Sequence, residues 1–126
     1  MKKLLIIAMV VILASCEKET ENQINWASFD KIETGQSVKA TFDGYIIVNG
    51  MKKPMPNQAE TLETFKRLMN DLDLISFQSS YGNQAEKYEL TIWYNGRQRK
   101  CILYGDVAMP RELHNVMLFL NTMLLY

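Results

Sequence analysis

The chain has 126 residues, 48% hydrophobic and 22% charged, with 14 Lys+Arg against 14 Asp+Glu and two cysteines. That length allows one domain, and the zero net charge argues against a dedicated nucleic-acid binder, which carries a basic excess to neutralise phosphates. The average hides a division: residues 1–15 hold 12 apolar residues and two lysines, so the other 111 residues carry 12 basic and 14 acidic side chains, net −2.

Met1-Lys2-Lys3 forms a positive n-region, and Leu4–Ala14 (LLIIAMVVILA) is an unbroken apolar run. The run falls short of the roughly 20 residues that a helix needs to cross a bilayer, and it has the size and flanks of a secretory h-region. Leu13-Ala14-Ser15-Cys16 follows, and this stretch resembles the bacterial lipobox, L-[AS]-[GAS]-C. The resemblance implies that residues 1–15 are a lipoprotein signal peptide cut before Cys16. It also implies a diacylglyceryl group on the Cys16 sulfur and an acyl chain, such as palmitate, on the new amine. One acyl chain binds a membrane only reversibly, at about 0.8 kcal/mol per buried methylene, whereas two or three hold the protein there. Glu17 stands where an aspartate would resemble an inner-membrane retention signal, so an outer-membrane location is expected, on the periplasmic or the cell-surface side.

Glu17–Gln23 lacks apolar residues and reads as a solvated tether reaching roughly 25 Å when extended. Residues 16–28 are accordingly expected to be lipidated cysteine and acidic tether, and residues 29–126 a single domain. Ile24, Trp26, Phe29 and Ile32 give apolar anchors in a loosely patterned segment, a short helix or a first strand.

Turn signals then divide the chain. Asp43-Gly44 separates Val38–Phe42 from Tyr45–Val48, with Asn49-Gly50 just beyond, and Asn95-Gly96 separates Tyr88–Tyr94 from Arg97–Tyr104. Asp-Gly and Asn-Gly favour two-residue hairpin turns because both central positions need positive φ. Each hairpin leads to an amphipathic helix. Asn57 and Glu60 make a capping-box-like pair before a stripe of Leu62, Phe65, Met69 and Leu72. Pro110 suits the first turn of a last helix with the stripe Leu113, Val116, Met117, Leu120 and Leu124. The expected fold is α+β: an antiparallel four- or five-stranded sheet with two helices on one face, in the order β-β-α-β-β-α. This element order is similar to that of small lipoprotein domains of unknown function, a resemblance that carries no site residues.

Two-residue turns would set the faces. In the second hairpin Tyr94 would oppose Arg97, Ile92 Arg99, Leu90 Cys101 and Tyr88 Leu103, all facing the helices. The other face would carry Trp93, Lys100, Ile102 and Tyr104, joined from the first hairpin by Lys39, Thr41, Ile46 and Val48. Such a face is more apolar than solvation needs, and Trp93, Ile102, Tyr104 and Lys100 are the candidate binding residues, with Trp93 and Tyr104 as an aromatic platform. The competing reading has the N-terminal segment cover this face, since Trp26 and Phe29 need burial.

Cys101 reads as a buried small hydrophobe and His114 as a helix-surface residue, with a nucleophile–base pair of the two as the sharper alternative. Metal-ligand spacings, phosphate loops and carboxylate pairs are absent from the sequence, so no catalytic residues, metal or cofactor are expected. Lys52-Lys53 and Arg97, Arg99 and Lys100 read as solubilising charge, or alternatively as a docking patch for an anionic partner. The last helix is apolar nearly all round at Val116–Leu120, which calls for packing against neighbouring elements or a homodimer contact. The leading expectation is a lipid-anchored, non-enzymatic interaction module of the cell envelope, with a protein or small-molecule partner there. The alternatives are an inhibitor or immunity protein blocking a hydrolase, and a thiol- or metal-dependent enzyme using Cys101 and His114.

Overall fold

The computed structural model describes residues 24–83, 85–105 and 107–126. The signal peptide, Cys16 and the tether expected over 17–23 lie outside the described residues. Nine elements follow: β1 (Trp26–Lys31), β2 (Gln36–Thr41), β3 (Tyr45–Val48), β4 (Met51–Pro54), α1 (Gln58–Asp73), β5 (Ser80–Tyr81), β6 (Lys87–Tyr94), β7 (Arg97–Tyr104) and α2 (Arg111–Met123). The class is α+β as expected, but the sheet has seven strands in the order β4-β3-β2-β1-β6-β7-β5. It is mixed, because β5 runs parallel to β7 while the other neighbours are antiparallel.

The sheet has two more strands than the upper expectation of five, and of the two readings given for the Trp26 segment, helix or first strand, the strand is the one observed. The segment from Trp26 is neither helix nor cover: it is the central strand, paired with β2 on one side and β6 on the other. The domain therefore starts within the stretch assigned to the tether, three residues before Phe29. β4 arises because Asn49 (φ 49) and Gly50 (φ 85) make a tight turn pairing Val48 with Met51. Its Lys52-Lys53-Pro54 run gives the sheet a charged, proline-bearing edge, which discourages further strand pairing. β5 is two residues long and closes the other edge.

The β6–β7 hairpin has the expected register, from Lys87↔Tyr104 to Tyr94↔Arg97, around Asn95 (φ 52) and Gly96 (φ 78). The β2–β3 hairpin does not. Ala40 pairs with Ile46 and Val38 with Val48, so the loop has three residues, Phe42–Gly44, rather than two. Gly44 supplies the positive φ (91°), its N–H donates to the Thr41 carbonyl at 3.1 Å, and the Thr41 hydroxyl bonds Asp43. One residue of slip exchanges the faces. Ile46 and Val48 are therefore core residues, not outer-face residues, and Tyr45 and Ile47 take the outer positions.

One core lies between sheet and helices. Ala27, Phe29, Val38, Ala40, Ile46, Leu90, Ile92, Cys101 and Leu103 meet Phe65, Met69 and Leu72 of α1 and Leu113, Val116 and Leu120 of α2. Phe42, swung out of the hairpin ladder, contacts Phe65 and Tyr94 edge-on, and Phe65 stacks on Phe119 at 5.1 Å. That stack accounts for part of the apolar girth of α2; Leu118 remains exposed. Asn57 precedes α1 in the left-handed region (φ 47) and makes no side-chain cap, so the expected capping box does not form. Instead Gln58 donates to the Gly44 carbonyl at 2.8 Å, tying the helix start to the β2–β3 loop. Pro110 stands at the N-cap of α2, one position before the helix.

Candidate functional site

Both helices occupy one side of the sheet, and no described element covers the other. Because side chains alternate along each strand, the register arranges this open face into rows that run across the strands. The first row, from β4 to β7, is Pro54, Tyr45, Thr41, Trp26, Trp93 and Gln98. Trp26 and Trp93 are direct cross-strand partners, which sets their Cβ atoms about 5 Å apart. Two residues further along each strand lies a second row: Lys52, Ile47, Lys39, Ser28, Thr91 and Lys100. The third row holds Ser37, Asp30, Glu89, Ile102 and Ser80.

The rows differ in chemistry: aromatic, then basic, then acidic. Lys39 reaches back over the Trp26 ring at 4.2 Å and Lys52 over the Tyr45 ring at 4.7 Å, cation–π contacts that keep the ammonium groups beside the aromatic row. Lys100 turns the other way and pairs with Glu89 at 2.9 Å. Burial raises the Asp30 carboxyl above its usual range, the facing Glu89 adds to that, and Lys100 opposes it. Trp93 is half-buried, and its indole N–H is enclosed with no hydrogen-bond partner among the described residues.

All four candidate binding residues, Trp93, Lys100, Ile102 and Tyr104, lie on this open face. They do not form one site. Tyr104 stands opposite Lys87, six residues along β6 from Trp93, a separation of about 20 Å at roughly 3.3 Å per residue. The aromatic partner of Trp93 is Trp26, which the sequence reading gave only as an apolar anchor near the tether or as cover for this face. The alternation in Trp26-Ala27-Ser28-Phe29-Asp30-Lys31 could have shown this, since Ala27 and Phe29 are the buried pair. Asn25 fixes this end of the sheet: its side-chain oxygen accepts from Asn95 N–H at 2.8 Å and its carbonyl from Phe42 N–H at 2.9 Å.

The basic residues near the turns do not make a common patch. Arg97 and Arg99 are on the helix side: Arg97 pairs with Asp73 at 3.3 Å, and Arg99 donates to the Leu72 and Ile75 carbonyls at 3.4 and 2.8 Å. The Arg99 guanidinium also lies 3.8 Å from the Phe77 ring centre. Burial, reinforced by Arg97 and opposed by Asp73, lowers its pKa from the ordinary value. Lys52 is on the open face and Lys53, opposite Ile46, on the other.

Cys101 is fully buried opposite Leu90, and burial pushes its thiol up to about 11. Its weak hydrogen bond goes to the Ile102 carbonyl, and among the described residues none joins it to His114, which is half-buried on α2. A protonated, enclosed thiol is a poor nucleophile. Among the described residues no group of three or more His, Cys, Asp or Glu is placed to hold a metal ion.

Concavities are modest. A cleft of about 200 Å³ at the far end of β1 and β6 is lined by Phe29, Lys31, Tyr88, Met117 and Asn121 among others, below the size usual for a small-molecule pocket. A groove of about 580 Å³ between the end of α1 and the start of α2 is lined by Asp71, Leu74, Ile75, Arg111, Glu112 and Asn115. The cleft contains the stacked Phe29–Tyr88 pair at 5.5 Å, and the groove has no aromatic residue in its lining. Comparison with family models, with curated proteins and with solved structures yields no match to this chain, so its site is read from its own residues.

Proposed function

We propose that this protein is a lipid-anchored interaction module of the cell envelope, attached through Cys16 at the outer membrane and acting without catalysis. The observation that supports the reading best is the open sheet face, where Trp26, Trp93 and Tyr45 form a row with Lys39 and Lys52 beside it. Trp and Tyr side chains on a preformed surface are among the groups that carry contact energy in recognition. The enclosed Cys101 weighs against a thiol mechanism. Metabolic labelling with palmitate in a bacterial host tests the anchor. The full chain should take up label and fractionate with membranes, and Cys16→Ser should abolish both. Turnover of an envelope peptide, glycan or lipid by the purified protein would overturn the non-enzymatic reading.

A further inference from the structure

The aromatic row lies at the end of the sheet where the chain enters it. Trp26 is the first residue of β1, and Ile24, 40% exposed, comes just before it. Nine residues, 17–25, lie between Cys16 and Trp26, so an anchor on Cys16 keeps this end within about 35 Å of the bilayer. The chemistry of the face is graded away from that point. Aromatic rings come first; Lys39 and Lys52, which make no ion pair among the described residues, stem from strand positions about 7 Å further in and reach back so that their ammonium groups lie over the Trp26 and Tyr45 rings. Asp30 and Glu89 come last, about 13 Å from the aromatic row.

We propose that the Trp26–Trp93 end of the open face rests on the phospholipid leaflet that carries the anchor, with both indoles in the headgroup layer and Lys39 and Lys52 against anionic phosphates. The proposal rests on the reading of Cys16 as lipidated. Indole rings favour the membrane interface because one edge is apolar and the other can hydrogen-bond. Each lysine close to an anionic leaflet strengthens partitioning by about fivefold. The tether makes the contact intramolecular, so a weak surface affinity suffices to hold the face down. The acidic row tilts the domain: it stays furthest from the phosphates when the aromatic end touches first. The enclosed N–H of Trp93 gains a carbonyl or phosphate acceptor if the face opens slightly on contact.

Trp26 and Trp93 are the two tryptophans of the chain, so intrinsic fluorescence reports this row alone. The test uses the full lipidated protein in vesicles of phosphatidylcholine, with or without phosphatidylglycerol, and reads flotation and tryptophan quenching together. Phosphatidylglycerol should give a blue shift and a several-fold loss of acrylamide quenching, with new quenching by brominated phospholipid. The double variant K39E/K52E, checked for folding by circular dichroism, should return acrylamide quenching to its level in neutral vesicles. Protein that floats while its tryptophans remain equally open to acrylamide in both vesicles overturns the docking and leaves the anchor standing. Protection without quenching by brominated lipid also overturns it, because something other than lipid then covers the face. Failure to float overturns the anchor reading and the docking with it.

Discussion

At Trp93 an enclosed indole N–H lacks a partner among the described residues, an arrangement that costs free energy which a ring without the N–H would not. Trp93→Phe is therefore expected to change stability by less than about 1 kcal/mol in urea unfolding, well below the roughly 3–5 kcal/mol typical of truncating a core aromatic to alanine. Asp30 offers a second check on the same face. Its folded-state pKa is raised above 3.8, first by burial and then by Glu89, so the protonated carboxyl is the form the fold favours. A raised pKa means that its contribution to stability is fully present below pH 3.8 and is lost as pH rises through the folded value. Asp30→Asn should melt higher than the parent at neutral pH, and the gap should close as pH falls towards 3.8, in a series of melting temperatures against pH.

Among the elements, the end of α1 and strand β7 hold one another through Arg99, which donates to the Leu72 carbonyl, itself already accepting from Ile75 N–H, and to the Ile75 carbonyl just past the helix. Arg99→Ala should lower stability by about 1–2 kcal/mol, since a charge-assisted bond to carbonyls and a stacking contact are lost together. Chemical denaturation measures this, and Arg99→Lys should recover only part of it because an ammonium cannot span both carbonyls as a planar fork does. The same scale explains which parts of the fold were legible in the sequence. The β6–β7 register was readable because Asn95-Gly96 fixes a two-residue turn, and the turn then fixes every cross-strand pair. Asp43-Gly44 carries the same signal yet makes a three-residue loop, because Phe42 contributes more by packing on Phe65 than it would in the ladder. The helical stripes were readable, and Phe65, Met69, Leu72, Leu113, Val116 and Leu120 are buried as their spacing predicts. β1 was obscured because one of its two partners, β6, is remote in sequence, and Trp26 was not placed beside Trp93 as a result. β5, two residues long, leaves no periodic trace. Of the candidate site, Trp93 and Lys39 were therefore placed on this face from the sequence, whereas Trp26 and Tyr45 needed the strand order and the three-residue β2–β3 loop.

For the whole molecule, the strand nearest the chain's start sits in the middle of the sheet. β1 joins β2 across a short turn, but its other ladder, Trp26↔Trp93 to Lys31↔Tyr88, closes only with the second half of the chain. Contacts of such separation are slow to form because a long loop must be ordered before they repay it. Amide hydrogen exchange should find the β1 and β6 protons among the slowest, opening only with global unfolding, while β4 and β5 at the edges exchange through local fraying. Under the proposed lipoprotein reading, in which the chain is exported N-terminus first, this order would act as a timing device. Residues 24–81 can make hairpins and a helix but no closed core, since Leu90, Cys101 and the whole buried stripe of α2 are still missing. The domain stays threadable until its last forty or so residues arrive, and the hairpin that completes the core is the same one that brings Trp93 beside Trp26.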